Sequence, residues 1–169
     1  PSTKILLGGP EIATEYVQDS NFDKYTVDYC VSGEGELTFL ELLQHLENGR
    51  PDITNINGLS YRINLNRPFT INSKRKPFKS LSEIPSPFLE GIVSEEVLAR
   101  SDVEANLETQ RGCNLRCSYC IYHKDMDRVS YSKIKKIINE VRYVTKRGVK
   151  KIRFVDANFS SNINHAKSV

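Results

Sequence analysis

Three of the chain's four cysteines stand within eight residues, in the stretch "RGCNLRCSYC" from Arg111 to Cys120. Cys113, Cys117 and Cys120 have the spacing C-x3-C-x2-C, which lets three thiolates converge on one centre, and Gly112 lets the backbone turn sharply just before the first. Iron–sulfur clusters use Cys thiolates in such local runs, typically four per cluster. The fourth cysteine, Cys30, lies in a distant predicted strand, where a small buried hydrophobe is the default. Three local ligands without a fourth leave one iron of a cubane open to another molecule. Two other readings stand beside this one. A structural zinc site would take the three thiolates plus His123 and make the chain a zinc-stabilised, non-catalytic binding module. A ferredoxin-like electron-transfer piece would need Cys30 as its fourth ligand. Asn114, Arg116 and Ser118 interleave the thiols, which sets the run apart from a core strand.

The surrounding elements read as α/β. "TKILLGGPEIATEYV" predicts a short strand, a Gly-Gly turn and a helix opening near Pro10; Thr26 to Val31 predicts a second strand. In "GEGELTFLELLQHLENG", Leu37, Leu40, Leu43 and Leu46 recur at helical spacing, Phe39 and Leu42 widen the face, and Gly49 ends the helix. "INGLSYRINLNRPFTINS" alternates around an Asn-Arg-Pro turn and predicts a β-hairpin, and "LSEIPSPFLEGI" reads as an extended connector. "EANLETQRG" then predicts a strand running into the cysteine loop. "YSKIKKIINEVRYVTKRG" predicts an amphipathic helix with Ile134, Ile137, Ile138, Val141 and Val144 on one face, Ser130 or Ser132 capping its start, and "KKIRFVDANF" the next strand. Strand, loop, helix, strand is one βαβ unit with an unmatched edge.

The totals exclude several classes. Lys and Arg number 24 against 21 Asp and Glu, a formal net charge of +3, and the densest basic run, "SKRKPF" from Ser73, has no aromatic stacking pattern, so no nucleic-acid partner is expected. No apolar stretch has the length of a membrane span, no signal-peptide pattern is present, and the crowded cysteines do not resemble a secreted disulfide framework; a reducing cytoplasm is expected. The chain opens on Pro1 rather than Met, and with its unmatched sheet edge it is expected to be an internal fragment.

With Tyr119 between its last two thiols, "CNLRCSYC" resembles the C-x3-C-x-aromatic-C signature of radical SAM enzymes. The resemblance implies a 4Fe-4S cluster on Cys113, Cys117 and Cys120, with S-adenosylmethionine chelating the open iron and Tyr119 packing near its adenine. Reductive cleavage would then give a 5′-deoxyadenosyl radical that abstracts a substrate hydrogen. Arg111 and Gly112 would shape the loop. Asp156 and Asn158, in "VDANFS", would offer polar contacts where many members carry a Gly-Gly-Glu element.

The upstream stretches "ILLGGPEIATEY", "VDYCVSGEGELTFLELL", "INGLSYR" and "IPSPF" are similar in order to the cobalamin-binding-domain radical SAM proteins, the group that includes the anaerobic magnesium-protoporphyrin IX monomethyl ester cyclase. That resemblance implies the C-terminal part of a Rossmann-like, cobalamin-binding-type domain over residues 1–54, a β-hairpin and Pro-containing linker over 55–101, and the first βαβ portion of a radical SAM partial (β/α) barrel over 102–169. Gly8, Gly9, Gly33, Glu34 and Gly35 would line a cobalamin rim in the parent protein. The parent would act on an unknown small-molecule substrate, by methyl transfer, cyclisation or rearrangement, with an external electron donor such as flavodoxin or ferredoxin. The fragment alone is expected to be inactive.

Overall fold

The computed structural model describes residues 3–12, 17–18, 24–120, 122 and 128–169. The chain divides into two compact units, Pro1–Pro77 with Tyr119–Asp125, and Phe78–Ser118 with Met126–Val169. The helix expected from Pro10 falls largely outside the described residues.

The first unit is built on a four-stranded sheet in the order β1-β2-β3-β4. Strand β1 (Leu6–Leu7) runs parallel to β2 (Tyr29–Val31), as two strands joined by a crossover must. Helix α1 (Gly35–Asn48) follows and ends at Gly49, whose φ of 75° is the left-handed conformation that glycine adopts without cost. The predicted hairpin is present as β3 (Leu59–Tyr61) and β4 (Thr70–Ile71), and β3 pairs antiparallel with β2, so the hairpin extends the first sheet.

Period-two alternation sorts β2 between two cores. Tyr29 and Val31 pack with Leu42, Ile56, Leu59 and Tyr61, while Cys30 points the other way among Val17, Val27, Leu7 and Ile71. The broad leucine face of α1 is not the buried one. Leu37, Leu40, Leu43 and Leu46 are each roughly half-exposed, and the inward row is Thr38 and Leu42. The reason is polar: the Thr38 hydroxyl, fully buried, donates to the Asn57 carbonyl at 2.8 Å and accepts from Arg75 Nε at 2.7 Å, which fixes the helix's rotation.

Cys30 is wholly buried, and burial pushes its thiol up from about 9 to about 11. The unfolded chain therefore gives up this proton first as pH rises. The stability concerned is intact below about pH 9 and is lost as pH approaches 11. Urea midpoints measured at about pH 8 and about pH 10.5 should fall more for the native chain than for Cys30→Ala.

The second unit opens with a connector whose Ser80 and Glu83 form a capping box around a short 3-10 turn, Leu81–Glu83. Helix α2 (Glu95–Leu98) leads to β5 (Glu104–Leu107), then β6 (Gln110–Arg111). After the cysteine loop come β7 (Ser130–Tyr131), helix α3 (Ile134–Lys146), β8 (Lys151–Phe154) and α4 (Ile163–Ser168). β8 lies parallel to β5 in the register Glu104↔Lys151 to Leu107↔Phe154, completing the expected βαβ unit. Ala105, Val144, Val149 and Leu98 form its core.

Neither Ser130 nor Ser132 caps α3. The N-cap is Lys133, whose N–H donates to Ser82 Oγ at 2.8 Å; Ser130 donates instead to the Phe78 carbonyl. Both serines are buried, and their hydroxyls tie β7 and the residue after it to the connector. The apolar face of α3 also contains a surprise, because its buried row reads Ile137, Glu140, Val144.

Candidate metal centre

The cysteine loop leaves the second unit at the carboxyl end of β5, the end at which parallel α/β structures place their working loops. It is closed at its base by an antiparallel ladder, Gln110↔Tyr131 and Arg111↔Ser130. The short run at Ser130–Tyr131 gave no sequence signal of a strand, since two residues are too few for a period to register.

Beneath the ladder lies a partly buried polar network. The Asp156 carboxylate, just past β8, accepts from Thr109 N at 2.7 Å, Thr109 Oγ1 at 2.6 Å and Gln110 N at 3.0 Å. Thr109 and Gln110 are fully buried. The Gln110 side chain donates to the Asn158 carbonyl and accepts from Ser161 Oγ at 2.9 Å. Asn158 Nδ2 reaches into the loop itself, donating to Asn114 Oδ1 at 3.3 Å. Asp156 and Asn158, expected from the resemblance as S-adenosylmethionine contacts, thus hold the base and the first turn of the cysteine loop in this structure. Thr109, Gln110 and Ser161 were missed in the sequence, where a lone Thr-Gln pair after a strand carries no spacing rule.

Gly112 follows the ladder with φ 100° and is buried. A Cβ there would collide with the Arg128 carbonyl oxygen and lie 3.1 Å from Val129 Cα, so the loop's two legs approach as closely as glycine permits. Gly112→Ala should destabilise the chain by about 2 kcal/mol or more, from left-handed strain plus the clash; a shift in the thermal midpoint checks this. Arg111 is held by Glu108 in a two-pronged ion pair, Nε–Oε1 at 2.9 Å and a terminal nitrogen–Oε2 at 2.7 Å.

Within the loop Cys113, Cys117 and Cys120 are free, half-buried thiols. Tyr119 is 90% exposed. The boundary between the compact units falls after Ser118, within this loop. Among the described residues no three His, Cys, Asp or Glu side chains are gathered to hold a metal ion. The donor chemistry nonetheless fits an iron–sulfur cluster: three unpaired soft thiols, partly accessible, in a loop whose base is fixed and whose interior ligation would order. Cys30 has no such character, being part of a strand core. His123, the zinc alternative's fourth ligand, lies outside the described residues.

The glycines assigned to a cobalamin rim come together at one end of the first sheet. Gly8 and Gly9 follow β1, Gly33 to Gly35 follow β2, and the strands are parallel. A Cβ on Gly8 would lie 3.8 Å from the Val31 carbonyl oxygen. Glu34 is the buried N-cap residue of α1, and its side chain makes no capping hydrogen bond to the helix.

Residues 107–169 match the family model of the radical SAM superfamily. Over 165 residues, 94% of its length, the chain is 29% identical to the cobalamin-dependent radical SAM methyltransferase TokK of Streptomyces tokunonensis, of which it covers 24%. The radical S-adenosylmethionine methyltransferase TsrM of Kitasatospora setae, solved with cobalamin and a [4Fe-4S] cluster bound, superposes with a TM-score of 0.65 at 20% identity, over 97% of this chain and 32% of that one. The cobalamin-dependent S-adenosylmethionine radical enzyme OxsB, solved with aqua-cobalamin and S-adenosylmethionine, gives 0.65 at 21% identity, over 97% and 22%. At these identities the structural likeness is one of fold: the chain has a mixed α/β fold similar to that of these two enzymes. The chain spans about a quarter of TokK.

Proposed function

We propose that this chain is part of a longer cobalamin-dependent radical SAM enzyme. In this reading Cys113, Cys117 and Cys120 hold a 4Fe-4S cluster, Tyr119 lies near the adenine of S-adenosylmethionine, and the first unit is the closing part of a Rossmann-like cobalamin-binding domain. The second unit is then the first βαβ portion of a partial barrel. The observation that carries the proposal is the three-thiol loop, with Tyr119 before its last cysteine, standing at the carboxyl end of β5 within a parallel βαβ unit. When bound, the cluster supplies the electron that cleaves S-adenosylmethionine reductively. The chain's own residues do the holding. Asp156 and Gln110 fix the loop base, Asn158 steadies Asn114 between the first two thiols, and Gly112 lets the two legs close. Gly8, Gly9, Gly33, Glu34 and Gly35 form the rim offered to cobalamin. Because TokK and TsrM are methyltransferases by name, methyl transfer is the favoured outcome. A flavodoxin- or ferredoxin-type donor would deliver the electron. A reducing cytoplasm suits four free cysteines, and no helix among the described residues is long and apolar enough to cross a membrane.

Anaerobic reconstitution with iron and sulfide, followed by EPR of the reduced protein, tests the proposal. The cluster signal should change on adding S-adenosylmethionine. Tight stoichiometric zinc without iron uptake, or a cluster signal indifferent to S-adenosylmethionine, would overturn it.

A further inference from the structure

Helix α1 presents more apolar surface than the first unit covers. Its inward row is Thr38 and Leu42, while Leu37, Phe39, Leu40, Leu43 and Leu46 are 39–49% exposed. Single exposed leucines are ordinary, but five large apolar side chains left open on one 14-residue helix mark an interaction surface. Phe39, Leu40, Leu43 and Leu46 follow one another at steps of three and four residues, so they share one side of the helix. The two ends of this stripe carry opposite charges. Glu36 stands in the first turn, seven residues before Leu43, and Arg50 stands seven residues after it, just past the Gly49 cap.

We propose that two copies of this chain pair through α1, the helices running antiparallel about a two-fold axis at Leu43. Turned end over end about that residue, the stripe is its own complement. Leu40 of one copy then meets Leu46 of the second copy, Leu43 meets its own counterpart, and the Glu36 end lies beside Arg50 of the second copy. The opposed helix dipoles favour the same arrangement. A parallel pair would set Glu36 against Glu36 and Arg50 against Arg50. An anionic lipid surface is a poor match, because α1 contains Glu36, Glu41 and Glu47 and neither Lys nor Arg. Five half-exposed side chains per copy offer less than the roughly 1,200 Å² that standard interfaces bury, so the pair is weak and reversible. The inference rests on the first unit alone and is independent of the cluster chemistry proposed above.

Sedimentation equilibrium of the full chain, under reducing conditions in which the loop thiols cannot cross-link, tests the pairing. The average mass should rise reversibly from one chain toward two as concentration increases through the micromolar range and above, and should stop there. Leu43→Glu should weaken association by about tenfold or more. Ile92→Glu, at a 74%-exposed apolar residue of the second unit, should leave it unchanged. Glu36→Lys and Arg50→Glu should each weaken pairing several-fold, and the two combined should restore it, since the antiparallel register sets residue 36 against residue 50. A monomer at every concentration, assembly beyond two chains, an equal loss in Ile92→Glu, or a double variant no better than either single one would each overturn the proposal. Glu36 and Arg50 are exposed, so the charge variants keep the test decisive even if Leu43→Glu fails to fold.

Discussion

Replacing Cys113, Cys117 or Cys120 by Ala, one at a time, is expected to reduce reconstituted iron from about four per chain to background, and to remove the S-adenosylmethionine-sensitive EPR signal. The size of the effect follows from the ligand count. A cubane with three protein thiolates has no spare donor, so losing one leaves two irons without protein ligands. Cys30→Ala is the informative control. Cys30 is buried in the sheet core of the first unit, where burial disfavours the thiolate that a cluster requires. Its replacement should leave iron content and EPR unchanged. A loss of iron in Cys30→Ala equal to that in the loop variants would favour the ferredoxin-like reading, in which all four cysteines ligate.

Asp156→Ala is expected to cost roughly 3–5 kcal/mol, a large share of the 5–15 kcal/mol that ordinary domains possess. One carboxylate satisfies three donors here, and two of them are main-chain N–H groups of fully buried residues, Thr109 and Gln110. Truncation removes three charge-assisted bonds and takes the acceptor from two main-chain N–H groups of buried residues. Asp156→Asn should fall between, because its amide keeps one acceptor but presents N–H to the remaining donors. Urea unfolding with an unchanged slope checks the magnitude. Faster alkylation of Cys113 in Asp156→Ala would show that the cysteine loop loosens with its base. A cost under about 1 kcal/mol would mean that the buried donors find other partners.

The parts of the molecule that the sequence made legible are those with a repeat or a spacing rule. Alternation marked the hairpin around Asn66–Pro68, the 3.6-residue period marked α3, and the thiol spacing marked the loop. Where a polar contact overrules a period, the sequence misled. The leucines of α1 describe a convincing inward face, yet a buried hydroxyl on Thr38 turned the helix by bonding Asn57 and Arg75. Ser130 and Ser132 look like caps for α3, but both were drawn to the connector roughly fifty residues earlier. Such long-range polar bonds leave no local signature. Glu140 did leave one, an acid three residues after Ile137 in the helix's buried row.

The Asp156 anchorage also sets an order of assembly. On the ribosome, all three loop thiols emerge well before the carboxylate that squares off their base, and before β8, which carries it into the sheet. A nascent chain would hold its cysteines on an unbraced loop until the second parallel strand docks. If these thiols hold a cluster as proposed, loading it would follow the docking of β8, and a translational stall between Cys120 and Asp156 would leave the thiols on an unbraced loop.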